Sequence, residues 1–326
     1  MEMFQRATSF SELKVPQKLP LLEGLCWNIS NPYNLTPEQM LGIYEERWHF
    51  LEVLGIPSRE EAEYIRAISE KFRGLPLIVE DQNKQNVFAS INWVIDRLDK
   101  ELFVEQRIVL GGGALIGLKY QQIRYSSDLD FLVSPKDFQS LRGVIKQGKN
   151  IFNSLDKIED REPRIDRYGI RIPLFVQLEG REIALKLEII TEYNLEIEEL
   201  ESYKGLPCLN SLDRITAKIL ANADRWLDNS KFSRDLIDLA IIANAQKSFP
   251  QKCLLKAGSV YPDAKKSLIE AITKFQSNST HREKCYEALQ ITQPEIVING
   301  VDYLAQKFNL QPTIRTFAET DFSYLA

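Results

Sequence analysis

The stretch that most limits how this chain can fold is Asp128-Leu129-Asp130-Phe131-Leu132-Val133. Polar and apolar residues alternate in it, and a strand sends every second side chain to the same face. Asp128 and Asp130 therefore share one face, and Leu129, Phe131 and Val133 line the other. Two carboxylates at short range raise each other's pKa and resist joint ionisation, a conflict that a cation removes. Oxygen-only donors of this kind suit Mg²⁺ or Mn²⁺. Paired ions of that sort bridge phosphate oxygens and drive in-line displacement.

Just upstream stand an apolar run, Arg107-Ile108-Val109-Leu110, then Gly111-Gly112-Gly113 and a helical stretch. The order is strand, glycine turn, helix, strand. Missing Cβ atoms let backbone N–H groups approach a phosphate, and the helix N-terminus adds positive potential. A strand-to-helix turn also uses glycines for steric reasons alone. Downstream, Gly169–Leu178 and 182–190 read as a hairpin around Glu179-Gly180-Arg181 that extends the same sheet. Within it, Lys186 and Glu188 share a face opposite an apolar one, which makes Glu188 the natural third metal ligand. A half-buried edge strand with solvated charges has the same pattern.

The flanks are helical. Thr36-Pro37-Glu38-Gln39 and Ser58-Arg59-Glu60-Glu61 are capping-box starts, predicting helices from 36 to about 54 and from 58 to about 73, joined at Gly55-Ile56-Pro57. Residues 1–35 read as an irregular arm, and 86–102 as one helix with Val87, Ile91, Val94, Ile95 and Leu98 on a single face. Helices follow over 212–226 and 233–245, with Ser211 and Ser233 as caps, and shorter ones near 262–275, 280–290 and 299–308. At 326 residues the chain exceeds one core. The expectation is an α+β protein in three parts: an N-terminal arm and helical hairpin (1–80), a small mixed-sheet core flanked by helices (84–205), and a C-terminal helical domain (206–326) closing the cleft.

Composition narrows the setting. Cys26, Cys208, Cys253 and Cys285 are scattered without a CxxC, so neither a disulfide framework nor a zinc site is expected. No apolar run approaches roughly 18 residues and no cleavable leader is present, which predicts a cytoplasmic protein without membrane contact. A net charge of -5 gives no general attraction to nucleic acid. Lys157, Arg161, Arg164, Arg167 and Arg171 form a basic stretch, but Glu159, Asp160, Glu162 and Asp166 interleave with it.

The glycine turn, the acid pair and a third carboxylate on a later strand resemble the DNA polymerase β-like nucleotidyltransferase superfamily. Within it, LGGGALIGLKYQQIRYSSDLDFLV is similar to the signature of AbiEii/AbiGii-type toxins, matching at Arg124, Ser126, Asp128, Asp130 and Phe131. KLEII resembles the form of the third motif that carries Lys186 and Glu188. LDRITAKILANADRWLDNSKFSRDLIDL resembles the family's lysine-bearing helix and the acid-bearing helix after it, at Lys218, Arg234, Asp235 and Asp238. Two positions depart from the pattern: Gly113 stands where Ser or Thr is frequent after the glycine pair, and Ile123 where His is frequent before Arg124.

The resemblance implies a nucleotidyltransferase that moves an NMP from an NTP with Mg²⁺ or Mn²⁺. Asp128 and Asp130 would hold the ions and Glu188 would join them as ligand or base. Gly111, Gly112, Gly113, Arg124, Ser126, Lys186, Lys218, Asp235 and Asp238 would form the nucleotide site. Lys218, on an Ala-rich segment, would project a cation into the cleft. As plain structure, it would instead snorkel beside an Arg234–Asp238 pair. The implied acceptor is the 3′ end of tRNA, giving growth arrest in a type IV toxin–antitoxin pair with a cognate antitoxin. An aminoglycoside-like acceptor, or an inactive binding module on the same scaffold, are the competing readings. Residues 1–80 lie outside the resemblance and read as an extension, or a partner-like segment covering the site.

Overall fold

The computed structural model describes residues 14–47, 54, 57–73, 84–160, 163–178, 181–197 and 199–320. These fall into two compact units, 1–79 and 80–326. No helix among the described residues is long and apolar enough to cross a membrane.

In the first unit, helices α1 (Pro20–Leu25), α2 (Pro37–Arg47) and α3 (Arg59–Arg73) enclose a small core that includes Leu22, Met40, Leu41, Ile65 and Ile68. The Thr36 capping box forms in both directions: the Thr36 N–H donates to Gln39 Oε1 at 2.9 Å, and the Gln39 N–H to Thr36 Oγ1 at 3.3 Å. The Ser58 box forms only by half. Ser58 Oγ accepts from the Glu61 N–H, whereas the Glu61 carboxylate, fully buried, accepts from the Leu21 and Leu22 N–H groups and from the Tyr44 hydroxyl. It thereby caps α1, a helix in a segment expected to be irregular. The predicted extension of α2 to 54 and the joint at Gly55-Ile56 lie outside the described residues.

The second unit is built on a mixed eight-stranded sheet in the order β3-β5-β6-β2-β1-β8-β7, with β4 also on β5. Its strands are β1 (Val109–Leu110), β2 (Asp128–Val133), β3 (Ile158–Asp160), β4 (Arg164–Ile165), β5 (Gly169–Leu178), β6 (Arg181–Thr191), β7 (Leu200–Tyr203) and β8 (Leu206–Leu209). The sheet flanked by helices agrees with the sequence reading. The β7–β8 hairpin and the short β3 and β4 were not anticipated. Strand β2 lies parallel to β6 and antiparallel to β1. Its apolar face, Leu129, Phe131 and Val133, enters the core, with Phe131 edge-on to Phe103 at 4.8 Å between ring centroids.

Helices α4 (Lys84–Arg97) and α5 (Lys100–Glu105) replace the single helix expected over 86–102. Asp99 divides them, because its carboxylate accepts from the Leu102 N–H and starts a new helix. Next come α6 (Gly112–Lys119) and α7 (Pro135–Lys146), then α8 (Ser211–Arg225) and α9 (Arg234–Gln246). The remaining helices are α10 (Gln251–Val260), α11 (Ala264–Ser277), α12 (Ser279–Ala288) and α13 (Pro294–Lys307). The cap of α8 is Asn210, whose side chain accepts from the Asp213 N–H at 2.8 Å, so Ser211 is its first helical residue. Ser233 does stand at the cap of α9, yet in a left-handed conformation (φ 51°), and its hydroxyl contacts His281 Nε2 at 2.9 Å. A second core, from Ile215 to Ala305, fills the space among α8–α13. Ile116 of α6 and Ile123 reach into it from the glycine-turn side.

Candidate active site

The glycine turn and β2 are laced together. The Gly111 N–H donates to the Asp130 carbonyl at 2.9 Å, closing the end of β1 onto β2. Gly112 follows at φ +68°, the left-handed region that favours glycine, and a Cβ there would lie 2.0 Å from Asp130 Oδ2. The Asp130 carboxylate thus folds over bare backbone. At Gly113 a Cβ would lie 2.0 Å from Arg124 Nη2 and 3.0 Å from Ser126 Oγ. The space beside Gly113, where Ser or Thr is frequent in the family pattern, is occupied here by the Arg124 guanidinium.

Across the parallel pair, Asp128 stands beside Lys186 and Asp130 beside Glu188. The Lys186 ammonium lies 3.4 Å from Asp128 Oδ1 and 3.1 Å from Glu188 Oε2. Burial works against that charge, but Asp128 and Glu188 outweigh it and hold the ammonium above its ordinary range. Glu188 has a second cation: Arg171 Nε donates to its Oε1 at 3.1 Å, while Arg171 Nη1 reaches Asp166 Oδ2 at 2.8 Å. Asp130 is less well compensated. Burial, then the charges of Asp128 and Glu188, push its carboxyl up to about 6 against the pull of Lys218 and Lys186. Sequence reading placed Arg171 only in a basic stretch. The signal lay in the hairpin register: with Arg181 paired to Leu178 instead of sitting in the turn, Arg171 falls opposite Glu188.

Behind this face lies a buried ionic network. Arg124 donates through Nε and Nη2 to the two oxygens of Asp238, at 2.6 and 2.7 Å. Lys218 Nζ lies 2.7 Å from Asp238 Oδ2 and 3.1 Å from Asp235 Oδ1. Arg225 adds a two-pronged contact to Asp235, at 2.5 and 2.9 Å. Lys218 therefore does not reach freely into a cleft; two acids hold it. Burial alone would raise both acids, but Lys218 and Arg225 at Asp235, and Arg124 and Lys218 at Asp238, drive them below the usual carboxylate range. Arg225 went unnoticed although it lies seven residues after Lys218, two turns along the same helix face.

Among the described residues, no group of three or more His, Cys, Asp or Glu side chains is arranged to hold a metal ion. The donor pair Asp128–Asp130 nevertheless fits a hard divalent ion, since Mg²⁺ is commonly held by one or two carboxylates plus substrate phosphates. Glu188, neutralised by Lys186 and Arg171, does not fit as a ligand in this arrangement. All four cysteines are buried and free. A cleft of about 450 Å³ beside Glu201, Ser211, Asp213 and Lys256 and another of about 330 Å³ beside Arg107, Leu132 and Leu200 do not include the acid pair.

Residues 95–294 match the family described as nucleotidyl transferase AbiEii toxin, type IV toxin–antitoxin system. The chain belongs to this family. As an AbiEii-family protein it is a toxin nucleotidyltransferase, and the family implies a cognate antitoxin and suggests use of an NTP with a divalent metal. No curated protein matches the chain. Among solved structures it is similar to JHP933 from Helicobacter pylori, at 18% identity over 71% of this chain and 98% of that one, with a TM-score of 0.38. It is also similar to MenT4, a nucleotidyltransferase toxin from Mycobacterium tuberculosis H37Rv, at 13% identity over 75% and 98%, with a TM-score of 0.24.

Proposed function

We propose that this AbiEii-family protein transfers an NMP from an NTP to the 3′ end of tRNA, with Mg²⁺ or Mn²⁺ held by Asp128 and Asp130. The observation that carries the reading is the meeting of Asp130 with Gly112: a carboxylate with a raised pKa, next to a second carboxylate, lies against a turn stripped of side chains. Asp128 and Asp130 would hold a divalent ion there, which would supply charge neutralisation for phosphate oxygens and activation of the attacking oxygen. The N–H groups of Gly112 and Gly113 at the start of α6 orient the phosphates. Ser126 and Arg124 shape the turn from behind. Asp235 and Asp238 hold Lys218, Arg124 and Arg225 in place, and the excess of cations over acids in that network supplies positive potential towards Asp130 and the triphosphate. Glu188, still oriented by Arg171, serves as further ligand or base once Lys186 releases it. The acceptor hydroxyl attacks the α-phosphorus, its bond to pyrophosphate breaks, and the hydroxyl proton passes to a carboxylate.

The test offers labelled ATP, CTP, GTP and UTP, with Mg²⁺ or Mn²⁺, to total tRNA, aminoglycosides and protein. Label should appear on tRNA and disappear with Asp128→Asn or Asp130→Asn. Label on aminoglycosides alone would move the acceptor to small molecules. Absence of label everywhere, with no nucleotide-induced gain in melting temperature, would favour an inactive module. Expression should arrest growth, with rescue by the cognate antitoxin.

A further inference from the structure

Resting on the reading that Asp128 and Asp130 receive a divalent ion, we propose that Lys186 is a tethered counter-ion that fills the space between Asp128 and Glu188 and sets how readily the metal enters. Its ammonium bridges the two carboxylates at 3.4 and 3.1 Å. Glu188 is also held by Arg171, so it is neutralised without any metal. A divalent ion approaching Asp128 meets a positive charge only a few ångströms away, and the repulsion lasts as long as that ammonium stays.

The two cations differ in their freedom to leave. Arg171 is a planar fork pinned between Glu188 and Asp166. Lys186 is a point charge on a flexible stem; the two side chains are about equally exposed (31% and 33%), so they differ in shape and stiffness and not in burial. Metal entry therefore displaces Lys186 and leaves Arg171 in place, keeping the Glu188 side chain oriented. The displaced ammonium then becomes available to phosphate, which links metal binding to nucleotide binding through one side chain. A site open in only about a tenth of molecules binds about tenfold more weakly than the open site itself.

The experiment measures Mn²⁺ binding to the full chain by electron paramagnetic resonance, without nucleotide. Wild type, Lys186→Met, Lys186→Gln and Lys186→Arg are compared, each with and without Asp130→Asn. Melting temperatures establish that every variant is folded. Lys186→Met and Lys186→Gln should bind Mn²⁺ about tenfold more tightly than wild type. Lys186→Arg should restore weak binding, and Asp130→Asn should remove binding in every background. Unchanged or weaker binding in Lys186→Met and Lys186→Gln, while Asp130→Asn still abolishes it, overturns the counter-ion and leaves the metal reading standing. Binding that ignores Asp130→Asn, or is absent from every variant, overturns both.

Discussion

Two groups of acids lie within one unit of this protein and are treated in opposite ways. Asp128 and Asp130, on the open face of β2, are half-buried, and Asp130 is pushed up to about 6. Asp235 and Asp238, on α9, are buried and driven down by Arg124, Lys218 and Arg225. Burial disfavours every buried carboxylate; only partner cations decide the sign of the shift. In the second group compensation is complete inside the protein, as suits a support. In the first it is incomplete, leaving a demand for positive charge that a ligand can meet.

The contrast can be broken most severely at Asp238. Asp238→Ala removes the buried acid that grips the Arg124 fork through two oxygens, and one of the two acids that hold Lys218, so unfolding in urea should show a loss of about 3–5 kcal/mol. Next comes Gly112→Ala, which puts a methyl group into the space of Asp130 Oδ2 at a positive φ. Nucleotide transfer should fall about 100-fold from displacement of the carboxylate, with little change in the α9 network; unchanged kcat would remove Asp130 from the chemistry. Arg225→Ala, at a partly exposed end of the network, should cost about 1 kcal/mol and partly restore the pKa of Asp235. The smallest effect sharpens the comparison through pH. A raised native pKa means that the folded state binds the proton more tightly, so Asp130 contributes less stability as pH rises from about 4 towards about 6. Asp235 has the reverse sign: its contribution is present above about 4 and fades as pH falls below that. Asp130→Asn should thus be more stable than wild type above pH 6 in metal-free buffer and equal to it below pH 4, as judged by thermal unfolding.

The parts of the site governed by local periodicity were legible in the sequence. Alternation set the faces of β2 and β6, glycines marked the turn, and the Thr36 box announced α2. Pairings between distant segments were not. Lys218 read as a free cation because nothing near it in sequence shows that Asp235 and Asp238 will close on it. Glu61 looked like a local cap, yet it caps a helix that begins some forty residues earlier. Asn210 competed with Ser211 for one cap, and both satisfy the same rule, so only geometry separates them. The β7–β8 hairpin, four residues a side, is too short to show a period.

Gly113 and Arg124 are sterically coupled. The guanidinium that lies beside Gly113 is the one that grips Asp238. Gly113→Ser should therefore shift that hand and loosen its two-pronged hold on Asp238, so a change in the glycine turn reaches the interior of the helical core. Gly113→Ser and Asp238→Asn together should lower the melting temperature by less than the sum of the two alone, and strict additivity would show the positions to be independent.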